Sequence, residues 1–276
     1  MDRLPTLYIS HGSPMTALDG REAGAYWQRL GPAIDATFGR PKAVLAISAH
    51  SLTREPVLLA APKHEAVYDF GGFDEALYRM RYDAPGAPAL AARVQQLLAA
   101  AGLPAHVVAE GGLDHGIWVP LRSLWPDADV PVLPLAWPPN WSPEQLYTLG
   151  RALAPLADEG VLIVGSGAIT HNLRRVFAQG RLDTMDRPAT PESSAFRAWF
   201  ADKAGAADWD ALFAYRSQAP HGALMHPTDE HLLPFYVAAG AGGGTPGRRV
   251  HDSLTFGDLG MDVYAFGERA GEVLAG

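Results

Sequence analysis

The feature that most constrains this chain is a set of short runs that are apolar at every position, set between longer segments of helical periodicity. Ala43-Val44-Leu45-Ala46-Ile47 is the clearest, and Val161 to Val164 repeats the pattern. A strand with one wet face alternates apolar and polar residues, whereas a strand without alternation is covered on both faces. Helices must then pack on each side of a sheet, which points to an α/β architecture.

The runs predict strands at Thr6–Ile9, Ala43–Ile47, Pro56–Leu59, His106–Val108, Val130–Leu135 and Val161–Val164. Helices are predicted at about 20–38, 73–80, 87–101, 142–156, 191–204 and 227–239. Within 87–101, Leu90, Val94, Leu97 and Leu98 recur at three- and four-residue steps, as one buried helical face requires. Val250 to Phe256, a turn at Gly257-Asp258-Leu259-Gly260, and Met261 to Phe266 read as an antiparallel pair. The expected fold is a central mostly parallel or mixed sheet flanked by helices, with antiparallel C-terminal strands. One domain spanning residues 1–276 is expected. Gly240 to Gly247 is too short for a linker, and 181–192 is expected to be a loop that borders a pocket.

Cysteine is absent, which removes disulfides, thiolate zinc sites and cysteine nucleophiles. The formal net charge of -8 repels polyanions, and no basic stripe offsets it, so nucleic acid is not an expected partner. No run of about 18 apolar residues predicts a membrane span. Met1-Asp2-Arg3-Leu4 enters a short apolar run without a signal-peptide pattern, and a cytoplasmic location is expected.

The chemistry then rests on histidine. His11 follows the first strand in Ile9-Ser10-His11-Gly12-Ser13-Pro14, and His50 follows the second in Ile47-Ser48-Ala49-His50. His171 follows another in Val164-Gly165-Ser166-Gly167-Ala168-Ile169-Thr170-His171-Asn172. Open α/β sheets bind ligands beyond the carboxyl ends of their strands, so these three distant residues can converge. A fourth group is His226-Pro227-Thr228-Asp229-Glu230-His231, with Pro227 suited to a helix start. Adjacent residues on that helix diverge by roughly 100°, so one of Glu230 and His231 faces a given metal, and His231 is the choice. The expected ligands are therefore His11, His50 and His231.

His115, flanked by Gly111-Gly112 and Gly116, reads as part of a shaped turn at a pocket wall. Trp118 beside it supplies either an aromatic surface for a flat substrate or a core residue. His64 reads as a polar loop residue, and His106, His221 and His251 carry no expected chemistry. Gly165-Ser166-Gly167 lacks the Lys-Ser/Thr ending of a phosphate loop, and neither Ser13 nor Ser166 sits in a nucleophile elbow. Imidazoles select Fe, Zn, Cu or Ni over Mg and Ca. Spacing alone leaves open a zinc-activated water or an Fe(II) oxygenase site.

The chain resembles the class III extradiol ring-cleavage dioxygenases, in the DOPA-4,5-dioxygenase-like branch with the LigB-type fold. The resemblance rests on His11-Gly12-Ser13-Pro14-Met15, Ser48-Ala49-His50, Tyr68-Asp69-Phe70-Gly71-Gly72-Phe73 and Tyr82-Asp83-Ala84-Pro85-Gly86. It continues through Leu113-Asp114-His115-Gly116, Thr170-His171-Asn172-Leu173 and Pro227-Thr228-Asp229-Glu230-His231. These motifs run in family order and cover nearly the whole chain. The resemblance implies that His11, His50 and His231 hold a non-haem Fe(II), with Zn(II) as a bound or substituting metal. It also implies that His171 is a catalytic histidine and a candidate fourth ligand, and that His115 meets substrate or oxygen. Relatives commonly place a Trp where this chain has Ser51, a change that opens space or adds polarity near the metal.

The activity so implied is insertion of both atoms of O2 into a catecholic, DOPA-like ring to give a ring-opened semialdehyde. The partners are a small catechol and O2, in a monomer or a homodimer. Two rivals stand beside it. One is a zinc hydrolase using His171 or Glu230 as base, and the other is a non-enzymatic protein that retains the fold.

Overall fold

The computed structural model describes residues 2–178 and 185–274. In chain order its main strands are β1 (Thr6–Ser10), β2 (Ala43–Ser48), β3 (Val57–Leu59) and β4 (His106–Val108), then β5 (Val132–Ala136) and β6 (Val161–Gly167). The C-terminal strands are β7 (Arg248–His251) and β8 (Val263–Phe266). They form one eight-stranded sheet in the order β4-β3-β5-β2-β6-β1-β8-β7. β5, β2, β6 and β1 are parallel, whereas β3 and β8 run antiparallel to their inner neighbours. The sheet is therefore mixed, with a parallel centre and an antiparallel C-terminal pair.

The absence of alternation in the central strands has the expected cause. Successive side chains point to opposite faces, and both faces are covered. Tyr8, Leu45, Ile47, Leu133 and Ile163 join one core with helices α2 (Pro88–Ala100), α4 (Pro143–Leu153), α6 (Pro191–Gly205) and α7 (Pro234–Ala241). Leu7, Ile9, Val44, Ala46, Leu162 and Val164 join the other core, beneath α1 (Arg21–Phe38) and α3 (His115–Leu124). A further helix, α5 (Leu173–Ala178), follows the end of β6. No helix among the described residues is long and apolar enough to cross a membrane.

Several expected elements differ. The helix expected at 73–80 is a single 3-10 turn, Leu77–Arg79, because only Leu77 is buried and no apolar face exists to pack a longer one. The helix expected from 227 begins only at Pro234, which lacks the N–H that would continue an earlier helix and takes a first-turn position. Residues 227–233 are turns instead. Helix α3 replaces the expected turn at His115. Its residues His115 to Leu121 are all buried. His64 is not a loop residue but a fully buried one in a two-residue strand pairing with Ala84. Of the loop expected at 181–192, residues 181–184 lie outside the described residues, 185–190 are irregular, and α6 starts at Pro191.

Two contacts set the segments around the sheet's carboxyl edge. The His231 carbonyl accepts hydrogen bonds from Ala168 N–H (2.9 Å) and from the Tyr8 hydroxyl (2.8 Å). That approach needs Gly167, where a Cβ would lie 1.9 Å from the same carbonyl oxygen. Arg197 on α6 clamps the fully buried Asp262 through Nε (2.9 Å) and Nη2 (3.0 Å), which holds the start of β8 and the neighbouring Gly260-Met261 in place. Arg249 also reaches Asp262 (3.3 Å), so removing Arg197 would leave the buried carboxylate one weaker partner, at a cost below the roughly 3–5 kcal/mol of a fully unpaired buried charge.

Candidate metal centre

The parallel strands end level with one another. Ser10 of β1 pairs with Gly167 of β6, and Ser48 of β2 pairs with Ser166. His11 therefore emerges directly from β1, His50 two residues past β2, and His171 four residues past β6, all at one edge. His231 arrives from the turn before α7, and His115 is the first residue of α3. Ring centroids of His11, His50 and His231 are 5.0 to 5.5 Å apart. One ring nitrogen from each lies within 4.8 Å of those of the other two.

Neighbouring groups determine which nitrogen is free. The Ser166 hydroxyl donates to the Gly116 carbonyl, so its oxygen must accept from His11 Nδ1–H (2.9 Å). Glu230 Oε1 can only accept, so His231 donates from Nδ1–H (3.0 Å). Both rings thereby hold an unprotonated Nε2, the form that binds a metal. His11 Nε2 and His50 Nε2 lie 3.1 Å apart and face each other. With no proton on His11 Nε2, a shared cation suits this pair of lone-pair donors. Gly116 permits the approach of α3, since a Cβ there would stand 2.5 Å from Ser48 Oγ and 3.1 Å from the His11 ring.

His115 donates from Nδ1 to both Asp69 oxygens at 3.0 Å, and its backbone N–H donates to Asp69 Oδ1 at 3.0 Å. His50, Asp69 and His115 form a second close group of donors, while His171, Glu230 and His231 form a third. The His171 ring stacks on His231, with centroids 3.4 Å apart and planes 9° from parallel. Its backbone N–H donates to Met225 O (2.9 Å). Ser51 is not in the cavity wall among the described residues. Its hydroxyl donates to Asp114 Oδ2 (2.6 Å), while Ser48 donates to Oδ1 (2.7 Å), so the polarity it adds is spent behind His50. Trp118 is fully buried and donates to the Val67 carbonyl (3.2 Å), which makes it a core residue.

A cavity of 420 Å³ opens over this cluster, with His50, His115, His171 and His231 in its wall. Burial, followed by the neighbouring imidazoles, pushes His50 down to about 3 and His171 down to about 2. His11 and His231 shift in the same direction, mainly by burial. Burial works to raise Glu230, but hydrogen bonds from His231, its own backbone and Thr228 hold it down to about 2. Neutral imidazoles beside an ionised carboxylate are what a divalent metal site requires.

The same burial makes the metal-free protein acid-sensitive. His226, fully buried with Nε2–H on the Ile169 carbonyl (2.9 Å), is pushed down to about 4 by burial. The unfolded chain, near 6.5, binds the proton first, so this ring's contribution to stability falls as pH drops below about 6.5 and levels off near 4. The gap corresponds to about 3 kcal/mol for this ring alone. Urea midpoints of metal-free protein are expected to fall between pH 7 and pH 4.5, less steeply in His226→Gln. Midpoints independent of pH would contradict this.

Three supporting residues were not singled out in the sequence. Ser166 had been weighed as part of a phosphate loop and as a nucleophile, yet it orients His11. Asp69 stood in the Tyr68-Asp69-Phe70 motif without a role, and Asp114 in Leu113-Asp114-His115 likewise. Their partners are 155, 46 and 66 residues away in sequence, so no local spacing reveals them.

A mixed sheet that gathers imidazoles at the carboxyl edge of its parallel strands defines a site of the divalent-metal class. Comparison with known proteins gives the family. Residues 5–267 match the family described as the catalytic LigB subunit of aromatic ring-opening dioxygenase. The chain is 38% identical over 264 residues to a 4,5-DOPA dioxygenase extradiol of Beta vulgaris, covering 95% of this chain and 96% of that protein. It is 37% identical to a 4,5-DOPA dioxygenase extradiol of Escherichia coli K12, covering 87% of this chain and 85% of that one. The crystal structure of an uncharacterized protein from Escherichia coli K12 superposes with a TM-score of 0.78 at 32% identity, over 96% of this chain and 100% of that chain. The chain belongs to the LigB-type extradiol dioxygenase family, in its DOPA-4,5-dioxygenase-like branch.

Proposed function

We propose that this chain is a non-haem Fe(II)-dependent extradiol dioxygenase that inserts both atoms of O2 into a catecholic ring and releases a ring-opened semialdehyde. His11, His50 and His231 hold the metal. The observation that carries this reading is the convergence of their ring nitrogens within 4.8 Å, with the Nδ1 atoms of His11 and His231 committed elsewhere. An all-imidazole donor set fits Fe or Zn rather than Mg or Ca. Zn is d10 and cannot carry electron chemistry, so ring cleavage calls for iron. When bound, Fe(II) would be chelated by the catechol, acidify it and activate O2.

The remaining steps belong to the chain's own residues. His171 is held neutral by burial and stands at the cavity wall, where it accepts the catechol proton and later returns one. It groups with Glu230 and His231 rather than with His11 and His50, which favours proton transfer over a fourth ligand position. His115, fixed by Asp69 at Nδ1, stands in the cavity wall with its other ring nitrogen free to share proton transfer.

The test is anaerobic loading with Fe(II) or Zn(II), followed by a broad catechol panel with an oxygen electrode and product absorbance. The Fe(II) form is expected to consume one O2 per catechol, and the Zn(II) form none. No oxygen uptake with any catechol, or hydrolysis by the Zn(II) form, would reject the reading.

A further inference from the structure

The cavity wall contains a backbone outlier. Phe256 has φ 55°, in the left-handed region. Five non-glycine residues among those described take positive φ, and Phe256 alone of them lines the cavity, in one wall with His50, His115, His171 and His231. In that region the Cβ crowds the following carbonyl oxygen, so glycine adopts it routinely and asparagine sometimes. A bulky aromatic residue there is strained. Such strain persists only where the surroundings over-determine it, and it clusters at functional sites.

The surroundings do so here. Phe256 and Gly257, the latter at φ 74°, lie in the turn between the paired strands Leu254–Thr255 and Leu259–Gly260. The Phe256 N–H donates to the Met185 carbonyl (2.8 Å), and the Gly257 carbonyl accepts from Thr190 N–H (2.9 Å). The Thr170 hydroxyl donates to the Asp258 carbonyl (2.6 Å) and accepts from Gly260 N–H (2.7 Å). Thr170 directly precedes His171, so the turn is fastened to the segment that carries a cavity histidine.

None of these bonds uses the phenyl ring. Asparagine or glycine at position 256 would make the same turn with less strain, so the reason for phenylalanine lies in the ring itself. Phe70, in the same wall, is packed by Phe73, Tyr78 and His115. Phe256 is half-buried and makes no ring contact with another aromatic residue among the described residues. A ring held rigidly in a cavity wall without an aromatic neighbour offers a surface against which a flat ring packs.

Resting on the ring-cleavage reading above, we propose that Phe256 binds the aromatic ring of the substrate, with its phenyl group packed against the catechol and held there by the strained turn. Substitution by a residue at home in this backbone then weakens binding without weakening the fold.

The experiment compares wild type with Phe256→Asn, Phe256→Ala and Phe256→Tyr. Anaerobic Fe(II)-loaded protein is titrated with 4-methylcatechol by calorimetry, melting temperatures are recorded without catechol, and kcat and KM are then measured in air. Phe256→Asn is expected to bind about tenfold more weakly, with KM raised to match and kcat little changed, and to melt no lower than wild type. Phe256→Ala loses the ring but keeps the strain, so it should bind as weakly and melt several degrees lower. Phe256→Tyr should bind within about twofold of wild type. Binding by Phe256→Asn at wild-type strength would overturn the proposal and leave ring cleavage standing. A melting temperature that falls as far in Phe256→Asn as in Phe256→Ala would do the same, since the ring would then serve the fold. Binding lost in Phe256→Asn and kept in Phe256→Tyr, with no oxygen uptake by any form, would sustain Phe256 as a ring-binding residue and reject the ring-cleavage reading instead.

Discussion

His231→Ala is expected to lose its metal on dialysis and to fall to background in ring cleavage. The side chain is buried, and its Nδ1–H is already given to Glu230, so Nε2 is the nitrogen left to offer a metal. Two imidazoles then remain, and the open position fills with water, which no longer holds the ion against a chelator. The fold should survive, because the contacts that seat this segment use the His231 carbonyl, which accepts from Ala168 N–H and the Tyr8 hydroxyl. Glu230→Gln makes a graded companion. It retains an acceptor for Nδ1–H but removes the charge that makes the imidazole more basic, and about 10–100-fold weaker metal binding is expected. Metal-to-protein ratios after dialysis and competition with a chromophoric chelator measure both effects. Stoichiometric metal at wild-type affinity in His231→Ala, with an unchanged melting temperature, would remove this residue from the centre.

The strand ends were the legible part of this molecule. Ala43 to Ile47 and Val161 to Val164 are apolar throughout because each is covered by two cores, and that pattern survives in any single sequence. From it, the positions of His11, His50 and His171 beyond one edge follow from parallel pairing alone. His231 was selected over Glu230 on helical geometry, but residues 227–233 are turns and the helix starts at Pro234. What orients the pair is a hydrogen bond between them, which no periodicity encodes. Helix α3 was missed for a related reason. Gly116 and Pro120 argue locally for a turn, yet Gly116 is there because any side chain would strike Ser48 and His11. The departures from local rules thus fall where the chain approaches the cluster, as tertiary demands on a site would produce.

The supporting carboxylates show the same division. Asp69, Asp114 and Glu230 each take hydrogen bonds from a cluster histidine or from the serines beside one, and each comes from a different segment. Ser51 belongs to this set. Its hydroxyl completes the donors on the buried Asp114, whose carboxyl is pushed up by burial and drawn back by the two serines. The role of such residues is legible only once the sheet has brought the strand ends level.

Replacing His171 with glutamine is expected to lower kcat by about 10²–10⁴-fold, the usual contribution of a positioned acid–base group. The metal content should remain that of the wild type. The two outcomes are separable because the ring stands against His231 without joining His11 and His50 in one donor group. Burial holds His171 at about 2, so it is neutral throughout the working range, with a lone pair for the catechol proton. A base so weakened cannot deprotonate a free catechol to any extent. Glutamine retains bulk and hydrogen-bonding capacity but cannot accept and return a proton, so KM should move far less than kcat. Added imidazole, small enough for the 420 Å³ cavity, should restore part of the lost rate. If the metal-to-protein ratio falls in step with kcat, His171 is a ligand rather than a proton carrier. If kcat stays within about twofold of wild type, the proton passes through another group, and His115, held at Nδ1 by Asp69, becomes the residue to replace next.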